Sequence, residues 1–333
     1  MRSQDTSTRT VLAWIVAFTL SLPVSVQAQN GVDGFLKEAE AAIKSGRLKI
    51  SRLKKLPANF RNLSLNIASA KVKSPGISGT VSILGHNTQF YLLARENRNK
   101  QLQLHAFFGL EGLELKKAFA KDKSLHEIRK VKLGYTVLVL SSTKAKLSFA
   151  SQPAALKRLF QGKFKKIPKS LPLPADIRIF SHLLPNSSPQ VKALLRHLGY
   201  AQHKSIAAVG TVEHPALGAW LTGTHHPFKS IEFRLDAYLP RSPKLGKKFR
   251  LKNSALSLII DEKDGGLIAL TGEGHMGVNR KKLPGNLQVT LEPNEKKKQE
   301  LRLRFQFDDK AFNKALGGSR GKLHEPAVEA VID

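Results

Sequence analysis

The sequence predicts a mainly β protein: two related antiparallel β-meander units, able to join as one curved sheet or a partial barrel, with a few short helices. Three observations predict it. Apolar and polar residues alternate with period two, which places one side of each strand in a core and the other in water. In "SIEFRLDAYL", Ile231, Phe233, Leu235, Ala237 and Leu239 face one way and Glu232, Arg234 and Asp236 the other; "ELRLRFQFD" repeats this with Leu301, Leu303, Phe305 and Phe307 inward and Arg302, Arg304, Gln306 and Asp308 outward. Short turns such as "ENRN" and "EKDGG" join such strands, and one-sided strands with short turns are antiparallel, because parallel strands need crossover helices and are apolar on both faces. Finally, "GTV" at Gly79–Val81 returns 131 residues later at Gly210–Val212. The same offset lays "LQLHAFF" from Leu102 on "FRLDAYL" from Phe233, and a shorter spacer lays "VKLGYTVLVL" from Val131 on "FRLKNSALSL" from Phe249.

Residues 1–28 read as an export signal. Arg2 and Arg9 precede the apolar run Val11–Leu22, followed by Pro23 and small residues at Val26 and Ala28, with cleavage expected after Ala28. The run is shorter than the roughly 20 residues of a membrane span, and no later stretch is apolar enough to cross. The first unit, 29–170, opens with a helix for which Asp33 is the expected N-cap, with Leu36, Ala39, Ala42 and Ile43 on one face and Gly46 at its end. Prolines and lysines in "QGKFKKIPKSLPLPAD" mark a linker, and the boundary is placed near residue 170. In the second unit, 171–317, "SSPQVKALLRHLGY" carries the clearest helix: Ser188 at the N-cap, Pro189 in the first turn, an apolar stripe of Val191, Leu194, Leu195 and Leu198, and Gly199 at the end. A partial third copy begins at "GEGHMGV" (Gly272), and "DKAFNKALG" after the last strand echoes "KKAFAK" at Lys116. Residues 318–333 read as a flexible tail. The echoing glycines, Gly79 and Gly210, are expected on the first strand of each unit, where a missing side chain permits a bend or a close backbone approach.

Cysteine is absent, so disulfides, thiolate metal ligands and a lipidated cysteine play no part. The whole chain carries 55 Lys and Arg against 25 Asp and Glu, a net charge of +30 that becomes +29 once Arg2, Arg9 and Asp5 leave with the signal. Such a charge predicts salt-sensitive attraction to anionic surfaces. The polyanion-binding candidates are Arg47, Lys49, Arg52, Lys54 and Lys55, then Lys247, Lys248, Arg250 and Lys252, then Arg280, Lys281 and Lys282. Any one charge run is most often a solvated turn; it is their number that makes a basic field.

The search for catalytic chemistry returns no constellation and no cofactor motif. There is no GxSxG, no Walker loop and no GxGxxG after a strand. Ser51 with Lys54 and Ser141 with Lys144 match SxxK but lack the companion SDN and KTG motifs. His214, His225, His226 and His275 are the weak candidates for a metal site, without the local spacing of a known ligand set. Outward aromatics are limited to Tyr91, Phe107 and Tyr238, too few for dedicated single-strand nucleic-acid recognition, although incidental binding follows from charge alone. The leading expectation is an exported, periplasmic or extracellular, non-enzymatic module that binds an anionic envelope component: lipopolysaccharide, anionic lipid or polysaccharide. The alternative is a carrier of an amphipathic lipid inside the sheet, and behind that an envelope hydrolase.

Overall fold

The structure is a computed structural model that describes residues 31–332, apart from 46–47, 55, 62, 119–127, 129, 165–169, 174–176, 198–199, 201–204, 214–220, 222–231, 240–243, 246–248, 262–264, 279–280, 294–298 and 316–325. The expected export signal, and the glycines expected to end the two helices, Gly46 and Gly199, lie outside the described residues.

Helix α1 (Val32–Lys44) is followed by β1 (Leu48–Lys49), a 3-10 turn at Ile50–Arg52, α2 (Ala58–Arg61) and the strands β2 (Asn66–Lys73), β3 (Gly76–Ile83), β4 (His86–Glu96) and β5 (Leu102–Leu110). Then come β6 (Leu113–Glu114), α3 (Leu115–Ala118), β7 (Lys132–Leu133), β8 (Thr136–Ser141), β9 (Ala145–Ser148), α4 (Ala154–Arg158), β10 (Ser170–Leu173), β11 (Ile177–Leu183) and α5 (Pro189–His197). The remainder is almost all strand: β12 (Ile206–Glu213), β13 (Glu232–Tyr238), β14 (Lys244–Leu245), β15 (Phe249–Arg250), β16 (Lys252–Asp261), β17 (Gly265–Val278), β18 (Lys281–Pro293), β19 (Gln299–Phe307), then α6 (Asp309–Ala315) and β20 (Ala327–Ile332).

The protein is mainly β, as the alternation predicts. A single 16-stranded antiparallel sheet runs in the order β1-β2-β3-β4-β5-β8-β11-β12-β13-β16-β17-β18-β19-β20, and its ends do not meet. It crosses the expected boundary near residue 170 without a break, because β8 pairs with β11 from Val137↔Phe180 to Leu140↔Ile177. The sheet curls: the Leu84 N–H donates to the Leu221 carbonyl at 3.0 Å, joining the β3–β4 turn to the β12–β13 connection. On a flat sheet β3 and β12 would lie five strand spacings apart, roughly 24 Å.

One face of this sheet is apolar almost from end to end. Directly opposed residues on neighbouring strands share a face, and one such row reads Gly79, Phe90, Phe108, Leu138, Ile179, Gly210, Leu235, Leu258, Ile268. Phe35, Leu36 and Ala39 of α1 and Val191, Leu194 and Leu195 of α5 bury against this face in the same core, and α5 lies against β17. Leu270, Leu287, Val289, Phe305 and Phe307 carry the apolar face onward, with Phe312 of α6 packed against them.

The opposite face changes character along the sheet. Over β4, β5, β8 and β11 it is covered by the β9–β10 hairpin and α4, whose Leu147, Leu173 and Leu156 enclose Tyr91, Phe107, Val139 and Phe180 in a second core. Phe160 is its centre, with ring centroids 5.0 Å from Phe149, 5.7 Å from Phe180 and 6.5 Å from Phe107. Tyr91 and Phe107 are therefore buried, not displayed as their outward register predicts, because residues 145–173, which end in the segment that reads as a linker, fold over them as a lid. Only Tyr238, of the three outward aromatics, is exposed. Beyond β11 no described element covers this face.

Three local expectations also change. Helix α1 starts two residues earlier than a cap at Asp33 implies: Gly31 is the N-cap, and the Val32 N–H donates to Glu96 Oε1 at 3.0 Å. The cap is thus supplied by β4, 64 residues away. The last residues of the expected tail form β20, paired with β19 from Gln306↔Ala327 to Leu301↔Ile332. The 131-residue offset lays β3 on β12 and β5 on β13, but β4 stands between the first pair whereas β12 and β13 are hydrogen-bonded neighbours.

Candidate polar binding face

The open face beyond β11 is built from the outward positions of seven strands, β12, β13 and β16–β20. Its register defines rows that run across the strands. The first continues from buried Tyr91, Phe107 and Val139 to Arg178, Thr211 and Arg234. The second reads Asp236, Ser257, Ala269, Thr290, Arg302; the third Tyr238, Ala255, Thr271, Gln288, Arg304, Glu329; the fourth Glu273, Asn286, Gln306. Row one runs on from Arg234 to half-buried Ile259 and Leu267, and row two keeps Val209 and buried Ala269, so polar and apolar side chains alternate along this face beyond the hairpin lid.

A bonded network fixes the middle of this face. Arg234 donates through Nε to both Asp236 oxygens at 3.1 and 3.0 Å. Ser257 Oγ donates to Asp236 Oδ1 at 2.6 Å and lies 3.1 Å from Thr271 Oγ1. Asn253 donates to Glu273 Oε2 at 3.1 Å, from a β-bulge in β16 where its φ is +46°, and Arg304 Nε lies 3.4 Å from Glu329 Oε1. At the border of the lid, burial lowers the pKa of Arg178 from the usual guanidinium range, an effect opposed by the charges of Tyr238 and Asp236.

Between these groups lies an open groove of about 350 Å³, lined by Arg234, Thr271, Glu273, Gln288, Arg304 and Gln306, with Asn253 and Asn286 at its sides. The side-chain amides of Asn286, Gln288 and Gln306 and the η nitrogens of Arg234 make no hydrogen bond among the described residues. No lysine among the described residues lines the groove.

The described lysines and arginines singled out by sequence sit at or just beyond β1, at the start of β16 and at the start of β18. Lys49 sits half-buried on β1, and Arg52 and Lys54 are exposed just beyond it; the Lys54 backbone N–H donates to Glu38 Oε1. Lys252 is exposed at the start of β16 opposite Glu273, and Lys281 and Lys282 are exposed at the start of β18 opposite Val278 and Gly277. In the sheet order β1 and β18 are eleven strands apart, with β16 two strands from β18. Arg47, Lys55, Lys247, Lys248 and Arg280 lie outside the described residues, and of Arg250 only the backbone, in β15, is described.

His275 is exposed on β17 opposite Pro284, and the other three candidate metal ligands, His214, His225 and His226, lie outside the described residues. Among the described residues no three His, Asp or Glu side chains come together as a metal site. One serine–histidine pair does form: His105 Nδ1 lies 2.9 Å from Ser141 Oγ. Both residues have no solvent exposure, and burial, with a smaller contribution from Arg95, pushes the His105 pKa down to about 4. The pair fills the second core beside Leu93.

No family model, curated protein or solved structure matches this chain.

Proposed function

We propose that the protein is an exported, non-enzymatic binding module that holds an anionic envelope polymer against the open polar face of its sheet. The observation that carries this reading is the asymmetry of that face: lidded and apolar over β4–β11, and beyond it without a described lid, where a groove lined by arginines and amides opens beside Ala255, Ile259, Leu267 and Ala269, on a chain of net charge +30. A bare sheet face rich in hydrogen-bonding side chains has to be solvated or occupied, and a basic field raises the local concentration of an anionic occupant. The N-terminal pattern of 1–28 supports export. Carriage of a lipid inside the curl draws less support, since Phe90, Phe108, Leu138, Ile179, Leu235 and Leu258 already fill the inner face at 2% exposure or less.

The test is binding of the purified protein to lipopolysaccharide, anionic vesicles, peptidoglycan and DNA, each at low and high salt. Attraction by exposed charge is screened beyond about 8 Å at physiological ionic strength, so all four bind at low salt, and the true partner alone retains a salt-resistant component. Failure to bind any of them at low salt would falsify the reading.

A further inference from the structure

We infer that the groove beside Gln288 is a saccharide site, so that the anionic polymer held by this face is an acidic glycan read through its sugar hydroxyls. The inference rests on the reading above and adds a ligand class to it. The groove differs from the rest of the surface in charge. Arg234 is bonded to Asp236, Arg304 lies against Glu329, and Glu273 stands opposite Lys252, so the arginines of the groove are paired with carboxylates in a chain that is otherwise strongly basic. A site made for bare phosphate or sulfate would place unpaired cations there. This one instead offers the amides of Asn286, Gln288 and Gln306, which make no hydrogen bond among the described residues.

An amide presents a donor and an acceptor side by side, which is what a pair of adjacent sugar hydroxyls requires, each hydroxyl being donor and acceptor at once. The spacing fits as well. Thr271, Gln288 and Arg304 stand on consecutive strands of one row, separated by about 4.8 Å per strand, comparable to the rise of one sugar unit in an extended glycan. At the far end of the same row Tyr238 is 55% exposed, an apolar ring with a polar tip of the kind that covers the face of a sugar. Carboxylates or phosphates on the chain would then meet Lys252, exposed opposite Glu273 at the edge of the groove.

The experiment compares an array of acidic and neutral glycans with polyphosphate, an anion without sugar, at low and high salt. The expected result is that polyphosphate binding disappears at high salt while at least one glycan retains measurable affinity. The double substitution Asn286→Ala with Gln288→Ala then weakens that salt-resistant binding by about tenfold or more and leaves low-salt polyphosphate binding unchanged. Both side chains face solvent, and a melting curve confirms that the variant folds. If glycans and polyphosphate lose binding along the same salt curve, or if the double variant binds glycan as the parent does, the saccharide site is overturned while polyanion binding stands. Absence of any low-salt binding overturns both.

Discussion

His105 has no solvent exposure, its Nδ1 set against Ser141 Oγ and its Nε2 without a partner among the described residues. Its pKa falls to about 4, from burial first and Arg95 second, while the unfolded chain holds that proton up to about 6.5. Between these values the unfolded state binds more protons, so stability decreases as pH falls from about 6.5 toward 4 and is independent of His105 above that window. The whole difference is worth about 3 kcal/mol. Chemical denaturation at pH 7 and pH 4.5 checks it: His105→Leu should show the smaller loss between the two, and equal losses would mean that other groups carry the acid sensitivity. The histidine's burial was illegible in "LQLHAFF", where it takes an outward position, since the lid that buries it comes from residues 145–173. The two echoing glycines were legible as close approaches. A Cβ on Gly210 would stand 2.1 Å from the Arg234 carbonyl oxygen, and one on Gly79 2.5 Å from Ile67 Cγ2. That both fall in one row of the inner face required the pairing register.

At the scale of elements, local signals set the start of α5. Ser188 Oγ accepts from the Val191 N–H at 3.1 Å and Pro189 opens the helix, as the sequence pattern requires. Ser188→Ala should cost about 1 kcal/mol, read as a shift of the denaturation midpoint at constant slope; no shift would mean that packing of Val191 and Leu195 alone sets the helix start. Helix α1 is the contrary case, because its cap is a carboxylate from β4 and no reading of the helix's own residues could have found Glu96. The same applies to β10 and β20. Their segments look like a proline-rich linker and a tail, and they become strands because β9 and β19 each offer an unpaired edge.

For the molecule as a whole, a sheet covered on two sides in its middle and on one side toward β20 should open unevenly. Amide hydrogen exchange should be slowest in β5, β8 and β11 and faster in β18 and β19; slowest exchange in β18 and β19 would show that the second core does not dominate stability. The same asymmetry places the candidate site. Outward Arg234, Arg302, Arg304 and Gln306 could be read from alternation alone. Their assembly with Asn286 and Gln288 into one groove could not, because residues 234 and 304 meet only through the stacked registers of β13, β16, β17, β18 and β19. By itself the sequence determined the class of fold, the antiparallel pairing, the inward face of each strand and the basic field, since period-two patterning, turn chemistry and charge are local or additive properties. Only the tertiary structure decided which outward faces are lidded and where polar side chains converge, because these depend on strand order and register across a curled sheet.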